Sequence, residues 1–522
     1  MTDNVNVPTN TSTPRLTREF STIETVFAWM SFILAYLFCR AFPASLNPLG
    51  AFLFVTLLFV VTAVLLYVKG EKPNALSVIV AISAIITSVS LVVSANGFIH
   101  FFAYSYALAA YCYYLYSSTG NAVKKGFTDF IAVDFFKALL VMPFYSFGCM
   151  FKAMFSGKAK KGGRFVAKLF LGLAITIIPT TIVLILLSYD GEFMQLLNKI
   201  FDFSIWDVFS HIFSLIFAVP IGMYVFGLFV SSVDKKCEKV ITEEGCQKLS
   251  KCVKIVPTVT GISAVVPILF LYVVFFISQW KYYVSGFTGV LPEGFDYAEY
   301  AREGFFQLCM VSLINLFIII IITVFMKRKT DTLLKILSIV FSAFTLILIS
   351  TAISKMVMYI NYYGLTQKRV YATWLMAVIA IVFVLIILRQ FVPKLKVVAI
   401  SLAVTVVMFA GLSLSNADAL IAKYNVDGYI NGTLKSVDVY AFEELGDSAI
   451  PQMIRLAEAM KEDKGVRFEQ ESYTSLMKIL QRKAFKYDNS EDKGIFSYTL
   501  PYINAQKAIQ NTSLEVIVDE SK

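Results

Sequence analysis

The chain has two histidines, His100 and His211. Imidazole is the side chain that exchanges a proton near neutral pH, so acid–base chemistry of the usual kind would have to use one of them. Each stands among apolar neighbours, in Phe98-Ile99-His100-Phe101-Phe102 and Phe209-Ser210-His211-Ile212-Phe213. Packing or hydrogen bonding suits both better than catalysis. The most distinctive charged stretch is Phe295-Asp296-Tyr297-Ala298-Glu299-Tyr300-Ala301-Arg302-Glu303-Gly304-Phe305-Phe306. Asp296 followed by Glu299 has the spacing of a helix capping box, and its tyrosines suit a membrane interface. Arg302 has no part in such a cap. A local Glu299–Arg302 helix pair and a ligand site account for it equally well. Gly364-Leu365-Thr366-Gln367-Lys368-Arg369 reads first as a helix stop at Gly364 and an N-cap at Thr366, with two cations following. Ionisable groups at membrane depth are costly and count as functional candidates. The candidate ligand-binding set is therefore Glu299, Arg302, Glu303, Arg369, His100 and His211.

Other chemistries find little support. Cys237, Cys246 and Cys252 are too widely spaced for a zinc site. No Gly-rich phosphate loop and no Ser-His-Asp set is legible, and residues 416–522 contain no histidine. The expectation is no catalytic residue, no metal and no cofactor.

The elements that carry these residues follow from composition. Hydrophobic residues make up 57% of the 522 and charged residues 16%, against roughly 25% charged in a soluble domain. A spanning helix needs about 20 apolar residues, and such runs recur nearly end to end. The fold class expected is all-α: a polytopic bundle of about eleven transmembrane helices. They are expected near 25–43, 48–68, 75–95, 97–117, 165–188, 206–230, 257–280, 304–326, 333–357, 371–389 and 397–415. Residues 1–24 are polar, and the run before Arg40 offers no A-x-A-like cleavage site, so they read as a disordered cytoplasmic tail rather than a cleaved signal.

Lys and Arg accumulate in cytoplasmic loops. With the N-terminus inside, the inside connections hold 22 of them and the outside connections six. Residues 416–522 then lie outside, carrying 13 basic and 17 acidic residues, a net −4. They read as a small helical extracytoplasmic domain with helices near 439–445, 448–462, 468–486 and 498–510. In the second of these, Ile450, Met453, Ile454 and Ala457 have the 3–4 spacing of a buried face. Almost no linker separates this segment from the last span, which predicts that it packs on the outer mouth of the bundle over 297–302 and 368–369. Two inside segments stand out: a cytoplasmic loop at 231–256, and 121–164, read as an interfacial helix ending in Lys158, Lys160, Lys161 and Arg164. The lipid bilayer is the main partner expected, with anionic lipids at this basic cytoplasmic face and an envelope protein at the C-terminal domain. The +10 net charge is met by the membrane, so no nucleic-acid partner is expected.

The 297–306 stretch resembles the signature of a bacterial multi-pass membrane family, the domain of unknown function 4173. Two further pieces are similar: Gly364-Leu365-Thr366 with Arg369-Val370-Tyr371, and Asn416, Asp418, Asn425, Asp438 and Leu445–Pro451. The resemblance covers about 160–460 and implies a bacterial, multi-pass protein with no established reaction. The expected role is a non-catalytic envelope protein presenting an outer polar site and helical domain to a ligand or partner. The alternatives are a transporter for a small solute or lipid, hinted at by Pro179, Pro220 and Pro267 within spans, and an envelope enzyme acting on a lipid-linked substrate. The first outer loop, 41–48, lacks the acidic residues that one large glycosyltransferase class uses.

Overall fold

A computed structural model describes residues 19–41, 48–155, 205–235, 241–278, 297–326, 332–434, 437–462, 470–488 and 498–512, with four isolated positions between 176 and 187. Among these residues the regular elements are all helices. Nine are long and apolar enough to cross a membrane, and the protein is a polytopic, all-α membrane protein. The helix expected at 165–188 lies almost wholly outside the described residues. The one expected at 97–117 forms as Gly97–Ser118, but its six tyrosines leave it less apolar than the nine.

The chain divides into two compact units. The first comprises residues 1–40 and 143–230 and is built on α1 (Thr22–Ala41) and the long helix Ile205–Val233. The Phe27 ring lies 4.5 Å from Phe229 and 6.1 Å from Phe226. Close approach depends on glycine: a Cβ at Gly222 would sit 3.2 Å from the Phe32 backbone, and one at Gly227 would collide with the Pro143 carbonyl. The long helix runs unbroken past Pro220.

The second unit, 41–142 and 231–522, contains α2 (Pro48–Val68), α3 (Ala75–Ser88, continued by a turn at Ser90–Val93), α4 (Gly97–Ser118) and α5 (Ile131–Phe136), which passes into a π-helical turn at Lys137–Val141. After these come α6 (Glu243–Val253), α7 (Thr258–Ser278), α8 (Tyr297–Phe325), α9 (Thr332–Tyr363), α10 (Gln367–Phe391) and α11 (Val397–Leu414). The C-terminal segment adds α12 (Ala417–Ile430), α13 (Ala441–Glu444), a 3-10 turn at Gly446–Ala449, α14 (Ile450–Glu462), α15 (Gln470–Asp488) and α16 (Leu500–Asn511).

Short connections make sequence neighbours antiparallel, and this sorts the polar residues to two ends. The turns α3–α4, α9–α10 and α11–α12 share one end with the C-terminal segment. The turns α2–α3 and α10–α11, with α5, share the other. Helix α4, 22 residues long, spans about 33 Å at 1.5 Å per residue, which matches the ~30 Å hydrocarbon core of a bilayer. Helix α9, at 32 residues, reaches about 48 Å and so carries Tyr359, Tyr362 and Tyr363 beyond that thickness at the C-terminal end. Phe305, Phe341, Leu348, Ile349, Met376 and Phe383 form a buried core between α8, α9 and α10. In α14, Ile450, Met453, Ile454 and Ala457 are all buried, as their spacing predicts.

In the interfacial segment Phe136 and Leu140 are exposed. Lys137, by contrast, is 1% exposed and turns inward with Asp134. The basic run at 158–164 lies outside the described residues.

Candidate functional site

The C-terminal segment joins the bundle through buried polar side chains. Helix α12 buries Ala417, Asp418, Ile421, Ala422, Asn425 and Val426. This is one helical face, and a carboxylate and an amide stand seven residues apart within it. Asp418, 2% exposed, accepts from Asn96 Nδ2 at 3.0 Å (Oδ2) and 3.3 Å (Oδ1), and from Gln367 Nε2 at 2.9 Å. Gln367 Nε2 also lies 3.2 Å from the Glu444 carbonyl oxygen. Asn96 itself caps α4, its Oδ1 accepting from the amides of Phe98 and Ile99 at 3.0 and 3.2 Å. Burial pushes the Asp418 carboxyl above its usual range, and the Asn96 and Gln367 hydrogen bonds partly restore the anion.

Two turns further along α12, Asn425 forms an amide clamp on the 364–366 turn. Its Oδ1 accepts from the Leu365 amide at 2.6 Å and its Nδ2 donates to the Leu365 carbonyl at 2.8 Å. The neighbouring Gly364 has φ +77°, and a Cβ there would strike the Asn425 side chain. Glycine is required on both counts. Leu365 and Val370 pack against the core of the C-terminal segment, which includes Ile421, Phe442 and Leu445. At the start of α12, Asn416 adopts φ +48° and accepts from the Ala419 amide at 3.4 Å and from Ser448 Oγ at 3.1 Å.

The candidate residues fall variously around this junction. His100 is one turn from Asn96, its Nε2 2.8 Å from the Ser94 carbonyl oxygen. Arg369 donates to the carbonyls of Tyr363, at 3.2 Å, and Gly364, and its guanidinium carbon lies 4.0 Å above the Tyr359 ring. It closes the C-terminus of α9, where a cation opposes the helix dipole. Thr366 caps α10 by accepting from the Arg369 amide at 3.4 Å. His211 belongs to the first unit, where Nδ1 meets the Tyr36 hydroxyl at 2.5 Å and Arg40 donates to Ser210 Oγ at 2.6 Å. Glu299, Arg302 and Glu303 occupy the first turns of α8, and their side chains lie outside the described residues, as does the cap expected from Asp296. Tyr371, stacked on Phe98 at 4.6 Å, has a buried hydroxyl with no hydrogen-bond partner among the described residues.

At the opposite end Asp134, 2% exposed, accepts at Oδ1 from the Tyr116 hydroxyl at 2.9 Å and the Val123 amide at 2.8 Å. Lys137 Nζ donates to the Ile241 carbonyl at 3.2 Å, which ties α5 to the segment entering α6. Burial raises the Asp134 carboxyl, and the two hydrogen bonds and the Lys137 charge oppose that rise. Inside the bundle, Asn315 donates to Thr345 at 3.0 Å and accepts from Tyr272 at 2.5 Å. This neutral contact links α7, α8 and α9. Among the described residues no three His, Cys, Asp or Glu converge as metal ligands.

The chain matches the family described as domain of unknown function DUF4153 over residues 81–456. The chain belongs to that family. This corrects the resemblance drawn from the 297–306 stretch, which pointed to domain of unknown function 4173, a different family. It also carries the similarity back to residue 81, into α3. No curated protein and no solved structure matches the chain. The polar junction at Asn96, Gln367, Asp418 and Asn425 was missing from the expected ligand set. Its signal in the sequence was the placement of Asp418 and Asn425 on the apolar face of one helix.

Proposed function

We propose that this DUF4153 protein is a non-catalytic component of a bacterial cell envelope, which fixes its C-terminal helical domain on the outer face of the cytoplasmic membrane for a partner to engage. The observation that carries the reading is the Asn425–Leu365 clamp. A domain tethered for reach needs a flexible spacer, whereas this one is joined to the bundle within two residues of the last span and hydrogen-bonded to a bundle turn. The polar side chains at the junction bond chiefly to one another and to the backbone, an arrangement that couples two bodies and leaves little to turn over a substrate. The orientation rests on charge. Lys69, Lys72, Lys124, Lys125, Arg389, Lys394 and Lys396 lie at the end away from the C-terminal domain, and basic residues favour the cytoplasm.

The transporter alternative has less behind it, because helices with Pro220 and Pro267 continue unbroken and the mid-bundle polar contact is neutral and satisfied. Two experiments test the proposal. Reporter fusions after Ser415 and within 243–253 should report opposite compartments, the first outside. In a strain lacking the gene, a chain ending at Ser415 should insert at normal levels and fail to complement. Equal compartments, or full complementation by the shortened chain, would overturn it.

A further inference from the structure

A second feature lies at the end opposite the C-terminal domain and takes no part in the junction. A cavity of about 1210 Å³ opens between α3, α4, α5 and α11. Its walls are apolar, with Ile79 and Val80 from α3 facing Leu402 and Val406 from α11. Its mouth carries Lys72, Lys125 and Lys235 against one carboxylate, Glu71, and the three lysines are exposed. No ion-pair partner for them exists among the described residues. The polar rim behind them is already satisfied: Asn74 donates to Ser117 at 2.8 Å and Ser118 to Ser77 at 3.1 Å.

Two further observations shape the site. Lys235 stands in the left-handed region at φ +51°, which is rare for a lysine, and its Nζ lies 4.0 Å from where a Cβ on Gly120 would be. A non-glycine residue held in that region is a local strain of the kind found at binding sites. The depth is the second observation. The lining on α4 runs from Tyr106 to Ser118 and on α11 from Ala399 to Val407, about 18 Å and 12 Å at 1.5 Å per residue. One leaflet of a ~30 Å hydrocarbon core is about 15 Å thick. The cavity is therefore as deep as one acyl layer, has a net positive mouth at the headgroup level, and is walled on two sides by α3 and α11, which are candidate membrane spans.

We propose that this crevice binds one anionic phospholipid of the surrounding bilayer, its phosphate held by Lys72, Lys125 and Lys235 and an acyl chain lying between α3 and α11. A zwitterionic lipid brings its own cation to the three ammonium groups and binds less well. A headgroup without a chain leaves the apolar walls unfilled and also binds less well.

The test is native mass spectrometry of the full chain in detergent, titrated separately with phosphatidylglycerol, phosphatidylcholine and glycerol phosphate. One phosphatidylglycerol should bind in preference to the other two. Replacing the lysines together (Lys72→Gln, Lys125→Gln, Lys235→Gln) should weaken it on the order of 100-fold, about fivefold for each charge near the surface. Val406→Trp, which fills the crevice and keeps the lysines, should weaken it by at least tenfold. That second variant decides the matter if the triple variant fails to fold. Unchanged phosphatidylglycerol binding in both folded variants would overturn the site. Equal affinity for phosphatidylcholine would overturn the charge selection, and glycerol phosphate binding as tightly as the lipid would show an anion site with no acyl groove.

Discussion

Asn425→Ala removes both hydrogen bonds of the clamp and adds none. Asn425 is 7% exposed and Leu365 half-buried, so the Leu365 amide and carbonyl regain water only in part. Leaving a buried polar group unsatisfied costs about 1–3 kcal/mol, and the partial exposure of Leu365 places each of the two at the low end. The sum, about 2 kcal/mol, corresponds to roughly a 30-fold change in a local opening equilibrium at 1.4 kcal/mol per tenfold. Hydrogen–deuterium exchange on the full chain in nanodiscs reads this directly. The Leu365 amide should exchange about 30-fold faster in the variant, while Ile379, in the α10 core, keeps its protection. Asn425→Asp is a sharper control. It keeps an acceptor for the Leu365 amide but sets a carboxylate oxygen against the Leu365 carbonyl, so it should do no better than alanine. A change of under about threefold at Leu365 in both variants would refute the clamp as the element that holds the C-terminal domain.

Gly364→Ala should destabilise the same junction by at least ~1–2 kcal/mol, the cost of a side chain in the left-handed region, and the collision with Asn425 adds to it; thermal unfolding in detergent measures the loss. Asp418 gives a pH dependence of definite sign. Its folded-state carboxyl titrates above the ordinary 3.8, so between 3.8 and the raised value the folded chain holds a proton that the unfolded chain has released. Stability from this group is greatest below 3.8 and falls as pH rises through that window, and Asp418→Asn should flatten the slope of melting temperature against pH. Asp134→Ala removes the acceptor that Oδ1 offers to the Tyr116 hydroxyl and the half-buried Val123 amide, a loss of about 1–3 kcal/mol in all. It should loosen the 241–253 segment, read as faster proteolysis there.

Much of the fold was legible in the sequence because the bilayer leaves few options. Runs of about twenty apolar residues can only be helices, and ten of the eleven expected spans are present among the described residues as helices at the expected positions. The buried face of α14 could be read from spacing alone, and Gly364 with Thr366 from their backbone preferences. The junction was harder to see. Asn96 is the single residue between the helices expected at 75–95 and 97–117, and its partner Asp418 is 322 residues away, a pairing that no local pattern encodes. Arg369 drew notice as a cation near the membrane surface, yet its chief contacts are the carbonyls closing α9, which depend on the path of the chain. Lys137 falls within the 121–164 segment read as interfacial. It is buried because Ile241, more than a hundred residues later, brings a carbonyl to it.

The central claim is that the C-terminal segment that begins with α12 is held against the end of the bundle. Spin labels at Lys368 and Lys423, both exposed, in a full chain with its native cysteines replaced, test it most directly. Pulsed electron–electron distance measurement in nanodiscs should give one narrow distribution that broadens when Asn425→Ala is added. A broad distribution in the chain that retains Asn425 would contradict the account.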